Sequence, residues 1–128
     1  MLSGLFDSYD NAAKHIIRAG FYMDAALARK FEVSKAAYTT LENARLSLTN
    51  ALKAVANPLF SDFSYSGIAD DCDGSGEFHS LAIMSVAEMG QAMKIAEEER
   101  WPFVIKYLEE ASTDATMAWM LSDSNNLS

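Results

Sequence analysis

The chain has 128 residues, half of them apolar, and a net charge of −8. That length suits one small domain, which buries roughly two-thirds of its unfolded surface without a metal or disulfide, and the apolar share excludes wholesale disorder. The single cysteine, Cys72, excludes an internal disulfide, and no run approaches the roughly 18 consecutive apolar residues of a membrane span.

The N-terminal stretch Met1 to Asp7 lacks the basic start and apolar run of a signal peptide, so cytoplasm is the expected compartment. A first helix is expected from Asp7 or Ser8, as N-cap, to Ala19, with Gly20 closing it. A short helical stretch follows from Asp24 to Lys30, and Ser34 reads as the cap of a third helix. Along that third helix Ala37, Leu41, Ala44, Leu48, Ala51 and Val55 recur at alternating four and three residues, which makes one apolar stripe. Asn57-Pro58 breaks it, and residues 58–77 are an acidic loop rich in Ser, Asp and Gly.

Two helices follow. Ala82, Val86, Met89, Met93 and Ala96 mark the inner face of the first. Pro102 suits the first turn of the second, whose stripe is Val104, Leu108, Ala111, Ala115 and Ala118. Ile83, Ile95, Tyr107 and Trp119 flank these stripes, and two helices alone cannot cover so much apolar surface. The pair at 78–121 therefore packs on the N-terminal half, residues 1–57, or on a second copy. Residues 122–128 form a polar tail. No alternating strand pattern of useful length occurs, so the expected fold class is all-α, a compact helical bundle.

Within the N-terminal half, Leu27 and Ala28, Phe31, Val33 and Ser34, Tyr38, Leu41-Glu42-Asn43 and Arg45 fall at a familiar spacing. The segment resembles the helix-turn-helix of the phage-repressor type, and the resemblance extends over about residues 8–57. It implies that Leu27, Phe31, Val33, Tyr38 and Leu41 pack the two helices together. It implies a DNA-binding regulator of transcription, in which Arg29, Lys30 and Arg45 meet phosphates while Lys35, Thr39, Thr40 and Asn43 lie along the recognition helix. A two-fold homodimer on paired half-sites is the matching assembly. Glu32 stands where the family usually has glycine, so the motif asks for a left-handed backbone there.

The charge distribution carries an alternative. Residues 1–57 hold seven basic and five acidic side chains, whereas residues 58–128 hold three basic and thirteen acidic. Such an acidic half suits an all-α inhibitor or immunity-type protein that blocks a basic, nucleic-acid-handling protein partner. Its surface would be Asp70, Asp71, Asp73, Glu97, Glu98, Glu99, Glu109 and Glu110. The blander reading of these residues is a set of solvated helix faces.

Little else carries chemistry. Asp71 to Phe78 is similar to the start of an EF-hand loop, but the position of its bidentate glutamate is Ala82. His15 and His79 have no second ligand one helical turn away, Cys72 sits among carboxylates, and no glycine-rich phosphate loop precedes a helix. No catalytic residue, metal or cofactor is expected, and no membrane association.

Overall fold

A computed structural model describes residues 2–56 and 74–122. Within them are four α-helices and no strand: α1 (Leu2–Leu27), α2 (Lys35–Ala56), α3 (Phe78–Glu99) and α4 (Pro102–Ser122). A 3-10 turn, Lys30–Glu32, joins α1 to α2.

The first expected boundary is wrong. Helix α1 does not stop at Ala19 but continues through Gly20 and takes in most of the separate stretch expected from Asp24. The reason is a stripe that does not end: Ala12, Ile16, Ala19, Met23 and Ala26 recur at four and three residues, and all are buried. A glycine inside a helix costs about 1 kcal/mol relative to alanine, which a continuous buried face outweighs.

Helix α2 starts where the sequence indicates. The Ser34 hydroxyl accepts the backbone N–H of Ala37 at 3.2 Å, a side-chain N-cap. Replacing Ser34 with alanine should lower the unfolding free energy by about 1 kcal/mol, readable as a shift of the urea midpoint at unchanged slope. All six stripe positions from Ala37 to Val55 are fully buried, as are all five from Val104 to Ala118. In α3 the buried line is rotated from the expected one. Leu81, Ser85 and Ala92 join Ala82, Met89 and Ala96 inside, while Val86 and Met93 are half-buried. The buried Ser85 hydroxyl escapes an unpaired state by donating to the carbonyl of Ala82 at 2.7 Å.

Helix α3 ends in a Schellman turn. Arg100 adopts a left-handed conformation (φ 59°, ψ 55°), its N–H reaches Glu97 O, and the N–H of Trp101 reaches Ala96 O at 2.9 Å. Trp101 is buried over the turn, and Pro102 opens α4.

The main packing runs α1 on α2, α2 on α4, α4 on α3 and α3 on α1, so the helices occupy the corners of a square in the order α1, α2, α4, α3. Gly74, just before α3, lies against Phe21 and Ala25 near the end of α1, while His15 meets Glu88 farther along, so α1 and α3 are antiparallel. The short turns make α1–α2 and α3–α4 antiparallel as well. Consequently α2 and α3 run parallel across one diagonal. The segment joining them lies outside the described residues, with Cys72 and the acidic positions Asp70, Asp71 and Asp73. The EF-hand-like stretch loses its first three positions to that segment, and its later positions Phe78 and Ala82 are core residues.

Candidate interaction surface at the α1–α2 turn

The basic candidates fall into two groups. Arg45 is engaged within the fold. Its Nε and Nη2 donate to the two carboxylate oxygens of Asp24 on α1, at 2.9 and 3.3 Å, and Nη1 donates to Thr49 Oγ1 at 3.0 Å. The flat guanidinium lies over Gly20, where a side-chain β-carbon would stand only 3.3 Å from it. This fork straps α1 to α2 across a groove floored by Ile16, Ile17, Phe21, Leu48 and Leu52. Arg29 is half-buried and lies 3.7 Å from the carboxylate of Glu32. Lys30 and Lys35 remain exposed at the turn.

Along α2, Thr39 and Asn43 are exposed, and the Thr40 hydroxyl donates back to Ala36 O at 2.8 Å. Glu42 and Leu46 share the outer side of this helix with Lys35, Thr39 and Asn43. That side therefore offers one ammonium, one carboxylate and a leucine that is 67% exposed.

Phe31 overturns its expected role. It does not pack α1 against α2 but projects from the 3-10 turn with 89% of its surface exposed. Leu27 and Val33 are half-buried beside the core, Tyr38 is half-buried, and Leu41 alone of the five expected packing residues is fully inside. Three residues in a 3-10 turn cannot keep the 3.6-residue phase of α1, so the ring leaves the buried side. Glu32 shows no left-handed backbone, for Arg100 is the one non-glycine residue with positive φ among those described.

Lys30 places its ammonium 5.0 Å from the centre of the Phe31 ring, within cation–π range. Lys30, Phe31, Val33, Lys35 and Tyr38 together line an open concavity of about 280 Å³. An aromatic ring, a phenol and two ammonium groups thus converge on one exposed corner of the bundle.

The acidic candidates divide between two places. Glu97, Glu98 and Glu99 are exposed at the end of α3, and Glu109 and Glu110 are exposed on α4 beside the half-buried Asp114. Lys106, Glu109, Glu110, Thr113 and Asp114 border a shallow depression of about 460 Å³. Among the described residues no three His, Cys, Asp or Glu side chains converge on a possible metal position. His15 Nδ1 meets Glu88 Oε1 at 2.8 Å between α1 and α3, and His79 lies on Trp119 with its Nδ1 3.1 Å from Ser122 Oγ. Both histidines are thus taken up in helix–helix contacts.

The class defined by this geometry is a four-helix bundle with antiparallel neighbours and two parallel diagonal pairs, α1 with α4 and α2 with α3. No helix among the described residues is long and apolar enough to cross a membrane. Compared with known proteins, the chain matches no family model, no curated protein and no solved structure.

Proposed function

We propose that the protein is a non-enzymatic binding protein whose contact surface is the α1–α2 turn, and that this surface meets a protein surface rather than a nucleic acid. The observation that carries this is the exposure of Phe31 between Lys30 and Lys35, above half-buried Tyr38 and Val33. Scattered exposed apolar residues are ordinary in soluble proteins. A phenylalanine with 89% of its surface exposed beside cations and a second ring has instead the make-up of an interface anchor.

The rival reading, a DNA-binding regulator, follows from the helix-turn-helix resemblance and from the exposure of Lys30, Lys35, Thr39 and Asn43. Electrostatics favour the protein partner. With Arg45 paired to Asp24 and Arg29 beside Glu32, Lys30 and Lys35 are the two of the four basic candidates left for phosphates. A chain of net charge −8 needs many more to offset its repulsion from a polyanion.

Two measurements separate the readings. A photo-crosslinking phenylalanine analogue placed at position 31 in the native cellular setting is expected to give adducts with protein, and these should disappear in Lys30→Glu/Lys35→Glu. Titration with mixed-sequence duplex DNA at physiological salt is expected to show binding no tighter than about 10⁻⁴ M. Duplex binding at a selected sequence near 10⁻⁸ M would hand the function to DNA.

A further inference from the structure

We propose that the Phe31 turn docks onto the outer ridge of α4 on a second copy of the chain, so that copies associate head to tail. This rests on the reading of the turn as a contact surface and names its occupant. The ridge is Phe103, Lys106, Glu110, Asp114 and Met117, whose spacing of three and four residues puts them on one side of α4. Phe103 and Met117 are 47% and 48% exposed at its two ends. Between them lie Glu110 and Asp114, with Glu109 beside, and no ion pair among the described residues engages these carboxylates.

The turn and the ridge are complements. The turn presents one large ring and two ammonium groups; the ridge presents three carboxylates against one ammonium, bracketed by two apolar side chains. Each can cover the other's exposed carbon while pairing its charge. The long-range repulsion between two copies of net charge −8 acts against contact. At about 0.15 M salt the screening length is roughly 8 Å, so that repulsion fades while pairs in direct contact persist.

Because turn and ridge are different patches, the contact is heterologous. Each copy in a pair keeps one patch free, and repetition yields a ring or an open chain rather than a closed two-fold dimer.

The test is sedimentation velocity of the full chain in physiological salt, up to about 1 mM, the range in which small interfaces associate. The weight-average mass of the wild type should rise with concentration. Lys30→Glu/Lys35→Glu and, separately, Glu109→Lys/Glu110→Lys should each weaken association by about tenfold or more. All four positions are exposed, and circular dichroism reports whether each variant keeps its helices. An equimolar mixture of the two variants should regain association, since a reversed turn then meets a reversed ridge.

A wild type that stays monomeric overturns the proposal, as does either variant that associates like wild type, or a mixture that fails to recover. Crosslinking at position 31 distinguishes this failure from that of the contact surface itself. Adducts with a different protein leave the surface standing and remove only the second copy, whereas no adduct of any kind removes both.

Discussion

Replacing Phe78 with alanine is expected to destabilise the bundle by about 3–5 kcal/mol. Phe78 is 1% exposed and, among the described residues, is the largest side chain so completely buried. It stands at the first residue of α3, directly after a turn in which Gly76 takes φ +124°, a backbone that other residues rarely adopt. Its N-cap position is Glu77, whose side chain makes no capping hydrogen bond. The start of α3 is therefore held by burial of the ring more than by local hydrogen bonding. Removing the ring takes away its transfer free energy and leaves a void that four fixed helices cannot fully close. A domain of this size has about 5–15 kcal/mol in total, so the loss is a large fraction. Urea unfolding followed by circular dichroism reads it as a lower midpoint. A change below about 1 kcal/mol would mean that the α3 start is not anchored in the core.

The helical fold was legible because period and propensity agree over long stretches. Ala37 to Val55 and Val104 to Ala118 each repeat at four and three residues, and every one of those positions is buried. The cap at Ser34 was legible for the same local reason, since its partner N–H lies three residues away. What failed was punctuation. Gly20 reads locally as a helix end, yet its role is to let the Arg45 guanidinium lie flat on α1, a contact between residues 25 apart. No local rule can see that pairing, nor the Asp24 carboxylate that completes it.

The candidate site was half legible. Of the four basic residues expected to face DNA, Lys30 and Lys35 are exposed, whereas Arg29 and Arg45 are half-buried beside Glu32 and Asp24. Phe31 was assigned to the core because an apolar residue after Leu27 and Ala28 fits the spacing of a helix pair. The 3-10 turn breaks that phase, and only three-dimensional geometry reveals which way the ring points. The charge split also gains meaning from topology. The α1–α2 hairpin, turn included, holds the basic candidates, and neighbouring α3 and α4 hold the described acidic ones, so the sequence asymmetry becomes a division between two sides of one bundle. That division is what gives the turn and the α4 ridge opposite signs.

Replacing Ala44 with leucine is the opposite experiment, and it should destabilise by about 1–3 kcal/mol. Ala44 is fully buried between Leu41 and Leu48 on α2, in a core where alanines stand among larger apolar side chains on each helix face. Small side chains at such positions let helix axes approach toward the short end of the usual 8–10 Å or so. Burying a leucine side chain would contribute about 1.5–3 kcal/mol if room existed. Here room must come from pushing α2 away from α1 or α4. That movement strains the Arg45–Asp24 strap and loosens the Leu41 and Leu48 contacts on either side. Interiors packed near crystal density resist such adjustment, so the strain should outweigh the transfer gain. Leu46→Ala on the same helix is the control, because Leu46 is 67% exposed and its loss should stay within about 0.5 kcal/mol. Thermal unfolding of the two variants side by side decides the matter. A higher melting temperature for Ala44→Leu would reveal unfilled space beside α2, and the close alanine-mediated approach of these helices would have to be abandoned.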